Sequence, residues 1–296
     1  HIYLLLKIEE EEILNVESNP KEIINYSQDI VDFKKSKTIR VKGFSLLDQL
    51  CLIDDVFCYS LLEMELLILN HICLEKSKEE LLLNEEFNKL TKVLAEKYSF
   101  PNNFYYETII ISLNEFEMLE RSILIITSLS IEIQSFKHLI SQLEYSMLLL
   151  IEKFEKIEKS KKIIIKQRTV LLFMYYSSVI FAENIDNFNL IVDWIVKGFY
   201  LYNEEVFQIQ CIDTINFIFQ EEKIQKYLNS NLNYFLNLFS NVLIFTKLNT
   251  ELTEFMKKMI LSFIDSIDQI YLINIIKSCF EFIIQKSIIV SNSAII

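Results

Sequence analysis

The chain has 296 residues, 51% of them apolar and 24% charged, with a formal net charge of −12 at neutral pH. So much apolar surface suffices for a continuous core and excludes disorder as the dominant state. The acidic balance opposes general binding to nucleic-acid backbone, which draws most of its affinity from basic groups.

Only two glycines and two prolines occur, so most of the residues that tight hairpins, β-bulges and phosphate-cradling loops require are missing. Alanine (Ala95, Ala182, Ala294) and arginine (Arg40, Arg121, Arg168) are equally rare while Ile, Asn and Lys abound, a skew that suggests an AT-rich genome. The helical reading therefore rests on periodicity as well.

In chain order, the acidic run Glu9, Glu10, Glu11 and Glu12 comes first. Asn19 followed by Pro20 marks a helix start over 20–33, a capping side chain before proline at the first helical position. A basic segment (Lys34, Lys35, Lys37, Arg40, Lys42) precedes one or two apolar helices over 43–75, and a further helix is expected over 84–98. The sequence SFPNN at 99–103 is the clearest break, and it divides the chain into helices of an acidic amino-terminal part, 1–98, and continuous repeats over 99–296.

Phe136, Ile140, Leu143, Met147, Leu150, Phe154 and Ile157 alternate spacings of four and three, which predicts one amphipathic helix. Phe188, Ile191, Ile195, Phe199 and Tyr202 give a second stripe. Val206, Ile209, Ile212 and Ile215, with Phe207, Cys211 and Ile218, give a third. Helix starts near 115, 136, 162, 187, 203, 228, 249 and 269 make the odd members of the series recur every 41 to 47 residues, the spacing of paired-helix HEAT-type repeats. The expected fold is all-α, an α-solenoid in which stacking of neighbouring pairs covers the apolar faces that one pair cannot. A globular bundle is the alternative.

Residues 227–246 are uncharged and about long enough to span a bilayer, but Asn229, Asn231, Asn233, Asn237 and Asn241 would need partners in hydrocarbon. A buried helix without membrane insertion is the reading. The five cysteines (Cys51, Cys58, Cys73, Cys211, Cys279) are scattered through apolar helical sequence and read as small buried hydrophobes in a reducing compartment. The start at His1 suggests a piece of a longer polypeptide.

Chemistry-bearing patterns are sparse. His71 and Cys73 near Cys51 and Cys58 match no usual zinc spacing, and His138 beside Lys137 has no nucleophile at readable spacing. The pairs Asp54 and Asp55, Glu204 and Glu205, Glu221 and Glu222 point apart on a helix and suit helix starts, where negative charge meets the macrodipole. No phosphate-binding glycine motif occurs, and neither catalysis, a metal nor a cofactor is expected. The basic segment above and the cluster Lys153, Lys156, Lys159, Lys161, Lys162 and Arg168 are read as solvated faces and turns.

Four segments carry a resemblance. ESNPKEII at 17–24 is similar to an acidic, Asn-Pro, Glu-containing helix entry, RSILIITSLSI at 121–131 to a helix ending in a small-residue step, and RTVLLFMYY at 168–176 to an arginine-containing helix with an aromatic pair. QKYLN at 225–229, continuing to 243, is similar to a following long apolar helix. Together, over about 17–265, they resemble in order and spacing the central HEAT repeats of karyopherin-β nuclear transport receptors, specifically the large importins related to the importin-α export receptor. Ile23 and Asn25 depart from that pattern, as does the absence of alanine from 206–219.

The resemblance implies a receptor that carries basic protein cargo through nuclear pores under control of the Ran GTPase. Its partners would be cargo, Ran and nucleoporins, and it would be located in cytoplasm, nucleus and nuclear envelope. Helices near 136, 187, 228 and 269 would line the cargo face, and Glu9, Glu10, Glu11 and Glu12 would meet a basic partner. The family's GTPase-binding domain would lie before residue 1. A non-transport α-solenoid scaffold is the alternative reading.

Overall fold

The computed structural model describes residues 39–97, 112–153, 159–201, 204–218 and 220–224, with scattered positions elsewhere. Helix makes up 89% of the structure, and no strand occurs among the described residues. Within the expected helix over 20–33 the described residue Ile24 is helical and buried, while the rest of that helix, the break at 99–103, the acidic run 9–12 and the uncharged segment 227–246 lie outside the described residues. The chain divides into two compact units, His1–Ile191 and Val192–Ile296.

Several boundaries in the first unit have a local cause. Helix α1 (Ile39–Ile53) is separated from α2 (Asp55–Cys73) by the single residue Asp54. Its extended backbone and side-chain acceptor cap the amides of Val56 at 3.0 Å and Phe57 at 3.2 Å. The apolar run over 43–75 is therefore two helices. The other end of α2 closes in a Schellman turn, with Lys76 N–H donating to the His71 carbonyl and Glu75 N–H to that of Ile72. Glu75 takes a φ of 58°, the left-handed position usually held by glycine.

A short α3 (Lys78–Leu82) follows, capped by Ser77, and then α4 (Glu85–Lys97), whose first turn Asn84 caps through the amide of Phe87 at 2.9 Å. Helix α5 (Glu115–Ser128) begins with a full capping box: Asn114 accepts from the Glu117 amide, and the Glu117 carboxylate accepts from the Asn114 amide. A 3-10 turn (Glu132–Ser135) leads into α6 (Lys137–Lys153), followed by α7 (Lys159–Glu183). Asn184 caps α8 (Ile185–Leu201) through the amides of Asp186 and Asn187. The short α3 and the 3-10 turn are additions to the expected pattern. They are too short to show a period.

The described stripe positions are mostly inside, although Phe136 is half-buried and ends the 3-10 turn before α6. Ile140, Leu143, Met147 and Leu150 of α6 are buried, as are Phe188 and Ile191 of α8. Phe154, Ile157 and Tyr202 lie outside the described residues. Helix α5 is the centre of the first unit: it packs on α2 and α7, with a smaller contact to α1, and every residue over 116–128 is buried. Helix α2 also packs on α1, α4 and α6, and α6 on α7. Tyr176 of α7 donates its hydroxyl to the Ile126 carbonyl at 2.7 Å, and Phe188 meets Phe173 and Phe181 with ring centroids 5.6 and 5.1 Å away. At about 1.5–3 kcal/mol for each fully buried aliphatic or aromatic side chain, this core is the main stabilising term.

Helices α2 and α7 are long and apolar enough to cross a membrane, but 67% and 83% of their most apolar windows are buried within the protein. They are apolar on several sides because they are covered on several sides.

In the second unit, α9 (Glu205–Ile218) buries Val206, Phe207, Ile209, Cys211, Ile212, Ile215 and Ile218, the stripe read from the sequence. Trp194 meets Phe207 edge-on at 5.6 Å, and Ile195 is also buried. Gly198 lies under the Phe207 ring: a Cβ there would overlap Cε1 and come within 2.8 Å of Cζ. The positions described at 269, 270, 272, 273, 276, 277, 280, 281 and 284 are helical.

Candidate functional site

The densest array of charge among the described residues is inside the first unit, and α5 organises it. Glu120, fully buried, accepts from two guanidinium groups. Arg168 Nε of α7 donates to Oε1 at 3.2 Å, and Arg40 Nη2 of α1 donates to Oε2. Arg40 Nε also donates to the Leu6 carbonyl at 3.0 Å, and Arg168 Nη1 to Gln167 Oε1 at 2.9 Å.

One residue along, Arg121 turns to α2, where Nη2 lies 3.8 Å from Glu65 Oε2 and the Ser122 hydroxyl donates to the same oxygen at 2.6 Å. At the edge of the array, in the first turn of α5, the exposed Glu115 pairs at 2.7 Å with the buried Lys153 of α6, whose ammonium also donates to the Ile72 carbonyl at 2.5 Å. Helix α5 therefore has a charged contact with each of α1, α2, α6 and α7.

Every arginine in the chain belongs to this network, and none is more than 2% exposed. The guanidinium is planar, delocalised and less strongly hydrated than an ammonium, so it can be buried against a carboxylate at lower cost. The expectation that Arg40, Lys153 and Arg168 belong to solvated basic faces is thus corrected. All three are core groups, because a buried carboxylate or carbonyl faces each of them. Lys42 of the same basic segment is exposed as expected, while Lys34, Lys35 and Lys37 lie outside the described residues.

At the surface, Tyr59 of α2 and His138 of α6 are joined by a hydrogen bond of 2.6 Å between the hydroxyl and Nε2, and Phe136 packs edge-on against the tyrosine. Burial and then the neighbouring Glu63 carboxylate push the Tyr59 hydroxyl up to about 12, so it stays protonated at neutral pH. The pair joins two helices. Nearby, an open groove of about 300 Å³ runs between the start of α6 and the end of α7, with Lys137 and Glu183 among its lining residues.

The residues weighed for zinc have other duties. His71 Nε2 is 2.5 Å from the Ser77 carbonyl and helps to close the turn after α2. Cys51 and Cys58 are buried and share a hydrogen bond, which raises the Cys51 thiol strongly, and burial pushes Cys73 up to about 12. Protonated thiols are poor nucleophiles and poor metal ligands. Among the described residues no group of three or more His, Cys, Asp or Glu side chains is placed to hold a metal ion.

Two carboxylate pairs do sit at helix starts, Asp54 with Asp55 at α2 and Glu204 with Glu205 at α9. Glu9, Glu10, Glu11 and Glu12 lie outside the described residues. The α5 network escapes a sequence reading because its members are scattered between residues 40 and 168. The one available signal is the rarity of arginine.

Compared with models of known protein families, with curated proteins and with solved structures, the chain matches none.

Proposed function

We propose that this chain is a helical protein-binding scaffold, and within that class the central part of a karyopherin-β type transport receptor that carries basic cargo through nuclear pores. The observation that carries the reading is the ordered resemblance over 17–265. Two of its anchors, Arg121 and Arg168, stand on α5 and α7, helices that pack directly on one another. The net charge of −12 suits a basic partner.

In this reading the helices form an α-solenoid whose repeats touch only their neighbours, so that small shifts between repeats add up and Ran binding at one place alters the cargo surface elsewhere. The partners are basic cargo, Ran and nucleoporins, in cytoplasm, nucleus and nuclear envelope.

A second reading is a scaffold without a role in transport. The enclosure of α5, an inner helix covered on every side, resembles the centre of a bundle more than a two-layer repeat, and so suits a scaffold built as a globular bundle rather than as the α-solenoid that either transport or a solenoid scaffold would need. Titration of the protein with Ran loaded with GTP or with GDP separates the two. A transport receptor binds the GTP form more tightly, and equal binding or none leaves the scaffold reading.

A further inference from the structure

We infer that the buried charges of α5 are a register lock, selecting one alignment of α1, α2 and α7 around α5 from several that apolar packing alone would accept. Apolar packing selects poorly here. Helix α5 presents Ile123, Leu124, Ile125 and Ile126 in succession, and α7 offers Ile163, Ile164 and Ile165 and then Val170, Leu171, Leu172 and Phe173, on either side of the buried polar run from Lys166 to Thr169. A slide of one turn, about 5.4 Å, exchanges one aliphatic neighbour for another, and cores tolerate such exchanges while losing uniqueness first.

The charges do not tolerate it. Glu120 accepts from Arg40 and Arg168 through different oxygens, so moving either α1 or α7 by a turn leaves one oxygen facing hydrocarbon. A slide of α2 along α5 parts Glu65 from Ser122 and Arg121, and a slide of α6 along α2 parts the buried Lys153 from the Ile72 carbonyl. Buried ion pairs add little net stability over well-packed apolar groups, but an uncompensated buried charge is heavily penalised. Selection among alignments is therefore what this network supplies. The inference is independent of the transport reading.

The test replaces the triad by apolar side chains of similar volume, with Arg40→Met, Glu120→Leu and Arg168→Met made together in the full chain. The expected variant keeps its helical circular dichroism and its urea midpoint. Its isoleucine methyl resonances split or broaden, and amide exchange in α1, α5 and α7 becomes at least tenfold faster. One sharp set of methyl signals with parental exchange rates would overturn the lock. Should the triple variant lose its helical signal, Arg168→Lys decides, because it keeps the charge and removes the planar fork. Heterogeneity spreading along α5 and α7 supports the lock, and an unchanged spectrum overturns it.

Discussion

Gly198 and Phe207 occupy one space: the phenyl ring lies where a side chain on residue 198 would begin. The chain has only two glycines, and this one permits the close approach of α8 and α9. Gly198→Ala is expected to destabilise the second unit by about 1–3 kcal/mol through overpacking, despite the higher helix propensity of alanine. Adding Phe207→Leu should recover part of the loss. A urea denaturation double-mutant cycle checks this through a coupling energy between the two sites, and strictly additive effects would contradict it.

Arg168→Met should be far more costly than removal of an exposed lysine such as Lys92, whose pair with Glu96 spans 3.7 Å at the surface. The methionine leaves Glu120 buried with one guanidinium instead of two, for which a loss of about 3 kcal/mol is expected. Lys92→Met should change stability by about 0.5 kcal/mol or less. Equal effects in a thermal or urea titration would count against a charged core at Glu120.

Glu75 holds the left-handed residue of a Schellman turn with a side chain that this backbone disfavours. Glu75→Gly is expected to stabilise the first unit by about 1 kcal/mol, visible as a higher denaturant midpoint at unchanged slope. A lower midpoint would show that the glutamate side chain contributes more than the strain costs.

Glu132 has its carboxyl pushed above the ordinary 4.5 mainly by burial, opposed by a backbone hydrogen bond and reinforced by the charge of Asp48. Its Oε2 is buried with no hydrogen-bond partner. A carboxyl whose folded value is raised favours the folded state when protonated, so the favourable term is complete below the ordinary value and disappears as pH rises through the folded value. Glu132→Gln should therefore raise the urea midpoint at pH 7, with the advantage shrinking as the pH falls through the carboxylate range and vanishing near pH 4. An advantage independent of pH would exclude titration as the cause.

What the residues settle alone is local. Scarce glycine and proline, apolar spacings of three and four, and the caps at Asp54, Asn84, Asn114 and Asn184 depend on near neighbours in the chain. The all-α class and the buried stripes of α6, α8 and α9 are therefore legible in the residues alone.

Tertiary structure decided which charges are inside. Arg40 and Arg168 read as members of basic surface clusters, because a sequence window shows their lysine neighbours and not Glu120, which is 80 residues from the first and 48 from the second. Whether a cation faces water or a buried carboxylate depends on which helices pack together. Long-range packing sets that, and here it makes three scattered arginines the charged interior of one helix cluster.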